Sequence, residues 1–427
     1  MRKPLAWSGT SEFAGVLDIG TSKIVCLIGQ RINGRPEAGG EPGAGLRIIG
    51  VGHQKSAGIS AGVIVDLDDA ERSVRATIAQ AERMAGVTLD SILVSVAAGR
   101  LRSHNFKASA GIEGGRVTAQ DVGRLLTGSR AFIERDGRKL VHLNRKSVQL
   151  DGTPSEGSPV GLAAAHVSAD MHGVSADEAP LRNLQTVLER CHADLAGFQV
   201  APFASALAVT SEAERQLGLT VVDIGCGTTK SAVFEGGHLT SVRFVGYGGG
   251  EITKGIARAL HTPLIEAERI KALYGNLLSA RSDDREEFPY TLAGSDEGLM
   301  QLASRAQLVS VIRPIVKDLF LAIADGPEQT GNGAAGNSPL VLTGGGCLLP
   351  GIAEFAGQLL QRPVRIGQAA VISGLPPIAR TPPFATATGL LFASEAGDDG
   401  KAIRFVADEA EGGGYLHRVG AWLKGGF

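Results

Sequence analysis

Apolar residues along the chain fall into short runs that stop abruptly. Val16–Ile19 and Ile24–Ile28 are two such runs, parted by Gly-Thr-Ser-Lys. About half a chain later, "LTVVDIGCGTTKSAVFEGG" repeats the device: an apolar run, an aspartate, small residues, a lysine, and a second apolar run. Runs of this length bounded by turn residues predict buried strands. The period then changes. Ala70, Val74, Ile78, Ala81 and Ala85 recur at three- and four-residue steps behind Asp66, which predicts a helix capped by that aspartate. "SILVSVAAG" predicts another buried strand.

From 99 to 176 the texture differs. The segment is basic early, has a Thr118 cap before a short helix, and then alternates like exposed strands from "KLVHLNRKSVQL" to "HVSADM". It predicts a small inserted α+β domain. "EAPLRNLQTVLERCHADLAG" predicts a helix, and "FQVAPFASALAV" a strand-to-helix turn. Beyond the second hairpin, "GGGEITKGIARAL" and "LIEAERIKALYGN" predict helices, and "SARSDDREEFPYTLAGSDEG" a polar loop. A long helix is expected from Met300 to Asp325, a disordered segment after it, then strand "PLVLT", a Gly-rich loop and a helix. A polar linker, 395–413, precedes the closing segment 414–427.

Composition narrows the reading. A chain of 427 residues is too long for one ordinary core, so two lobes or more are expected. Net charge is 42 − 44 = −2, and nothing in it suggests a global nucleic-acid binder. Cys26, Cys191, Cys226 and Cys347 are scattered without C-x-x-C spacing, so a zinc site is not expected and a reducing compartment is. The start has no apolar core of a signal peptide, and no apolar run approaches ~18 residues.

The candidate chemistry lies in the hairpins. Asp18-Ile-Gly-Thr-Ser-Lys23 and Asp223-Ile-Gly-Cys-Gly-Thr-Thr-Lys230 read as one device used twice. Glycines let backbone N–H groups converge on an anion, and hydroxyls add donors. An aspartate closing each first strand, Asp18 or Asp223, suits a hydrated Mg2+. A third loop, Gly344-Gly345-Gly346, between a strand and a helix lets a purine or phosphate approach the backbone. One such turn alone is as readily an ordinary hairpin. Two copies followed by the Gly-Gly-Gly loop, in that order, point to a polyphosphate gripped from both sides.

This constellation resembles the actin/Hsp70/sugar-kinase superfamily: "DIGTSK" its first phosphate motif, "DIGCGTTK" its second, "LTGGGCLLPG" its adenosine motif. Over nearly its whole length the chain resembles the FtsA family of bacterial cell-division proteins. The insertion near 99–176, the pattern "VVDIG…GGGEITKGIARAL…EAERIK" and the ending "GAWLKGGF" carry that finer likeness. It implies an α/β, actin-like two-lobed fold of duplicated RNase H-like subdomains. The first lobe would span 12–98 and 177–216, with a partner-recruiting subdomain at 99–176. The second would span 217–394, its smaller subdomain at about 254–312. A C-terminal amphipathic helix would end the chain.

The likeness further implies an ATP- and Mg2+-binding protein that forms filaments on the cytoplasmic face of the inner membrane at the division site, tethers FtsZ and recruits later division proteins. Thr21, Ser22 and Lys23 would face the phosphates with Gly20 in the turn. Gly225, Gly227, Thr228 and Thr229 would lie opposite, Gly250 near the sugar-phosphate, and Glu268 and Lys271 beside the nucleoside. Glu268 and Lys271 are equally an i,i+3 pair on a solvated helix face.

Several departures bear on this. Many relatives have an acidic residue where this chain has Lys230, which either faces solvent or adds charge near the phosphates. Cys226 and Cys347 are expected as small buried fillers. The residue before Pro202 is Ala201, which cannot orient water or take a proton, so at most slow ATP hydrolysis is expected. A small-molecule kinase or phosphatase of the same fold is the alternative, but no aspartate stands out as its base. On a helix, Leu416, Val419, Trp422 and Leu423 share one face, with Phe427 at its edge and Arg418 and Lys424 away from its centre. That is the pattern of a helix lying in a membrane interface.

Overall fold

The computed structural model describes residues 12–32, 45–97, 100–155, 157–278, 283, 285–294, 300–324 and 338–395. The closing helix, and all but the first residue of the linker, lie outside the described residues.

The chain begins with an antiparallel meander: β1 (Phe13–Ile19), β2 (Lys23–Arg31) and β3 (Leu46–Lys55). A two-residue pair, β4 (Ile59–Ser60) and β5 (Val63–Ile64), leads to α1 (Leu67–Ala85). The Asp66 carboxylate accepts from the Asp69 N–H, and Ala70, Val74, Ile78 and Ala81 are buried. Cap and apolar stripe therefore do what their spacing predicts. β6 (Ser91–Val96) lies parallel to β1.

The insertion follows: β7 (Arg102–Gly111), α2 (Ala119–Ile133), β8 (Arg138–Leu150), β9 (Thr153–Ser155) and β10 (His166–Asp177). Its sheet runs β7-β10-β8-β9 with its own apolar core. The last strand is not exposed as expected. β10 is an inner strand, and its C-terminal half is buried.

α3 (Glu178–Arg190) ends seven residues before the helix predicted to reach Gly197. His192 turns the backbone at φ 61°, and β11 (Asp194–Val200) adds parallel to β6. α4 (Ala201–Val209) and α5 (Glu212–Leu217) lead to a second meander: β12 (Leu219–Ile224), β13 (Thr229–Glu235) and β14 (His238–Val245). α6 (Gly249–Leu260) and α7 (Leu264–Tyr274) follow. The segment expected as a polar loop contains β15 (Glu287–Thr291), paired with β16 (Met300–Ser304). The helix expected from Met300 therefore begins at Arg305, as α8 (Arg305–Ala324). β17 (Leu340–Thr343), α9 (Ile352–Leu360), β18 (Val364–Ile366) and α10 (Ala385–Glu395) complete the described chain.

The two main sheets have one topology. The first is ordered β11-β6-β1-β2-β3 and the second β18-β17-β12-β13-β14. Each joins a three-stranded meander to two parallel strands, so each repeated hairpin opens its own lobe. α10 does not stay with the second lobe, as a span of 217–394 would have it. It packs on α4 and on β1, β2 and β6 of the first lobe. Residues 385–394 are all buried between these elements, so the helix has no exposed polar face.

Candidate functional site

The two hairpins turn in the same way. The Gly20 N–H donates to the Lys23 carbonyl at 3.0 Å, and the Gly225 N–H to the Thr228 carbonyl at 2.9 Å. Ile19 pairs with Ile24 and Ile224 with Thr229, so both loops hold four residues. The register corrects the motif alignment. Lys23 corresponds to Thr228, whereas Lys230 corresponds to Val25 and stands directly across from Asp223. Residues opposite each other in an antiparallel pair share a face.

The loops meet at the bottom of an inter-lobe cleft. A Cβ placed on Gly227 would lie 2.5 Å from Thr21 Oγ1, so only glycine permits this approach. The cavity above them has a volume of ≈ 440 Å3, within the range of small-molecule sites. Asp18, Gly20, Thr21, Ser22 and Lys23 line one side, and Asp223, Gly225, Gly227, Thr228 and Lys230 the other. Glu268 and Lys271 of α7 and Gly344, Gly345 and Gly346 after β17 complete the wall.

Two expected site residues are not part of this lining. Thr229 is fully buried, and its hydroxyl donates to the Tyr247 carbonyl at 3.0 Å. Gly250 spends its N–H on the Cys226 carbonyl at 2.8 Å, while Gly249 N–H reaches the Gly225 carbonyl at 2.8 Å. These two amides at the start of α6 hold the second loop and are not turned to the cavity. Sequence reading missed Pro382, Pro383, Thr386 and Ala97, which also line it. They follow no repeated motif; only their small or rigid character just before or in the first turn of helix α10 and behind strand β6 could have marked them.

The electrostatics are dominated by two aspartates and three lysines. Asp18 Oδ1 accepts from the Ser95 hydroxyl at 2.7 Å. Burial raises its pKa, against the pull of that hydrogen bond and of Lys230 and Lys23. Asp223 Oδ2 accepts from Ser205 at 2.9 Å and Thr386 at 3.2 Å, and lies 3.3 Å from Lys230 Nζ. Burial pushes Lys23 down to about 8, while Asp18 and Asp223 oppose the shift. Lys271 Nζ donates to Glu268 at 2.6 Å, Thr253 at 2.8 Å and the Gly249 carbonyl at 3.3 Å. The Glu268–Lys271 pair therefore ties α7 to the start of α6 at the mouth of the cavity.

Comparison with known structures identifies the fold. The PilM–PilN type IV pilus biogenesis complex is 15% identical, with 90% of this chain and 99% of that one covered and a TM-score of 0.62. MreB 5 of Spiroplasma citri bound to AMPPNP is 15% identical, with 89% and 95% covered and a TM-score of 0.51. The fold is actin-like, with an inserted α+β subdomain. The family model described as cell division protein FtsA matches residues 220–389, and that of the SHS2 domain inserted in FtsA matches 98–175. Cell division protein FtsA of Agrobacterium fabrum is 36% identical over 100% of this chain and 97% of its own. That of Escherichia coli K12 is 30% identical over 96% of each. The chain belongs to the FtsA family.

Within this FtsA chain the cleft has the parts for a nucleoside polyphosphate: glycine-rich turns, hydroxyls, and ammonium groups on both walls. Among the described residues no group of three or more His, Cys, Asp or Glu converges to hold a metal by itself. Mg2+ needs only one or two carboxylates, the rest being water and phosphate. Asp18, held at one oxygen by Ser95 and lining the cavity, fits a water-mediated ion. Asp223 fits less well, because its Oδ2 already serves two hydroxyls and an ammonium.

The cysteines divide. Cys347 is buried as expected, but Cys226 is exposed and lines the cavity. It lies in the four-residue loop, with the start of α6 against its carbonyl. Ala201 is fully buried as the first residue of α4 and does not line the cavity.

Proposed function

We propose that this FtsA-family chain binds Mg·ATP in the inter-lobe cleft and assembles into filaments on the cytoplasmic face of the inner membrane at the division site, tethering FtsZ and recruiting later division proteins. One observation carries the reading: the duplicated hairpins abut at Thr21 and Gly227 and open onto one cavity carrying Lys23, Lys230 and Lys271. Mg2+, when bound, would neutralise phosphate charge, with Asp18 holding it through water. Thr21, Ser22 and Thr228 supply hydroxyl donors, and the Gly344–Gly346 loop gives a flat wall for the nucleoside. Ala201 brings no carboxylate to the cleft, so phosphate release is expected far below the roughly 1 s⁻¹ floor of typical turnover.

Membrane attachment is assigned to the closing segment, where Leu416, Val419, Trp422 and Leu423 would share one face of a helix. Burying four such side chains contributes about 6–10 kcal/mol before ordering costs. A short helix with Gly420, Gly425 and Gly426 loses much of that on folding. One tail is a weak anchor, and a filament of many tails is a strong one. Co-sedimentation with anionic liposomes and purified FtsZ tests the whole reading. ATP should raise the membrane-bound fraction of both proteins, and Trp422→Glu should abolish it with ATP binding intact. If ATP leaves sedimentation unchanged, nucleotide does not control assembly.

A further inference from the structure

We infer that Lys230 is a built-in counter-cation of the phosphate site, so that this cleft holds a nucleoside triphosphate with reduced dependence on a divalent ion. The inference rests on the ATP-binding reading above and deepens it.

Lys230 stands across from Asp223 and shares its face of the sheet. Its Nζ lies 3.3 Å from Asp223 Oδ2, and both side chains are at least nine-tenths buried. The same ammonium lies 3.9 Å from where a Cβ on Gly225 would stand, so it sits directly beneath the second phosphate loop. Its charge is also felt at Asp18 on the opposite wall. Lys230 thus stands beside Asp223 in the lining of the cavity that both hairpins enclose.

Stability does not explain a lysine at this place. Burying an ion pair is often no better than an apolar pair of similar volume. In the first lobe the corresponding residue, Val25, is apolar and fully buried across from Asp18, so the hairpin itself does not require a lysine at this register position. One oxygen of Asp223 is already committed. Ser205, Thr386 and Lys230 together fix its Oδ2, and turning that oxygen to a metal would forfeit those partners. A lysine presents a point charge suited to phosphate. Lys230 neutralises Asp223, which would otherwise repel the phosphates. A metal ion commonly offsets such repulsion.

The test compares ATP affinity by calorimetry in millimolar magnesium and in EDTA, for wild type, Lys230→Met, Lys230→Gln and Lys230→Arg, with folding checked by thermal melting. Loss of a charged contact predicts that EDTA weakens binding about tenfold to a hundredfold more in the Met and Gln variants than in wild type. Lys230→Arg should restore the wild-type ratio. A merely structural lysine would lower affinity equally in both buffers. If Lys230→Met does not fold, Gln and Arg decide. Equal magnesium dependence in all folded variants overturns the inference and leaves the ATP site standing. Wild type that binds no ATP in either buffer overturns the ATP-site reading and the inference with it.

Discussion

Lys23 ends the first loop with its ammonium 3.7 Å from the centroid of the Phe384 ring. Burial lowers its pKa to about 8 from 10.5. A base depressed on folding carries its charge in both states below pH 8, so the burial penalty is felt there in full. Stability then rises as pH climbs from about 8 towards 10.5, because only the unfolded chain still holds the proton. Binding runs the other way. A phosphate prefers the charged lysine, so ATP affinity should fall as pH rises through 8 and beyond, by at most about one order of magnitude per pH unit. Calorimetry from neutral pH to about pH 9.5 checks this, with Lys23→Met as the flat reference. An unchanged wild-type affinity would separate Lys23 from the phosphates. Lys23 and Lys230 look alike in the sequence, each closing a D-I-G segment. Only the strand register separates them, because it depends on which residues pair, which motif spacing alone left unspecified.

Elements were legible where their signal is local. α1 carries an acidic cap, a three-and-four apolar rhythm and Gly86 at its end, all within some twenty positions. The hairpins carry turn glycines between apolar runs. β15 and β16 were missed because a two-stranded ribbon with its outer face exposed has no apolar run to read. The early end of α3 was missed because "CHADLAG" contains no proline and no helix-ending glycine before Gly197. α10 was missed because a helix buried on all sides has no polar face and so no period. It crosses α4 so closely that a Cβ on Gly389 would stand 1.7 Å from the Ala204 carbonyl oxygen. Overpacking at a backbone contact cannot be relieved by a rotamer, so Gly389→Ala should destabilise by about 3 kcal/mol or more. Denaturant unfolding measures it. A midpoint shift within error of wild type would mean that α10 moves aside and that its close crossing of α4 does not matter to stability. The candidate site was legible to the same degree as its elements. Fourteen of the sixteen nucleotide-site residues expected from sequence line the cavity, and the absent pair, Thr229 and Gly250, are turned into the protein by partners that only tertiary pairing reveals.

At the scale of the molecule, the inserted domain is more than an appendage on the first lobe. Its strands reach across to the outer strand of the second sheet. Ser103 Oγ accepts from the Val242 N–H at 2.6 Å and donates to the Val242 carbonyl at 3.2 Å. Asn105 donates to the Thr240 carbonyl at 3.0 Å and Asn144 to that of Leu239 at 3.1 Å. These side chains satisfy backbone groups along β14, which is an edge strand. Unpaired edges invite pairing with other chains. The cavity itself has no lining residue between 99 and 176. The ends of the insertion also lie together, since Arg102 pairs with Ser175 and Arg100 Nε reaches Asp177 Oδ2 at 2.7 Å. A short flexible bridge can therefore replace residues 102–175 without stretching the lobe. The two facts set two separate expectations for the excised protein. ATP affinity should stay within about threefold of the intact chain, less than the loss of one charged contact. The protein should also self-associate in a concentration-dependent way, because the carbonyls of Leu239, Thr240 and Val242 and the Val242 N–H lose their partners. Calorimetry and sedimentation velocity read the two outcomes independently. A folded excised protein that no longer binds ATP would show that the insertion shapes the cleft through β14. One that binds ATP and stays monomeric would show that the β14 edge needs no cover.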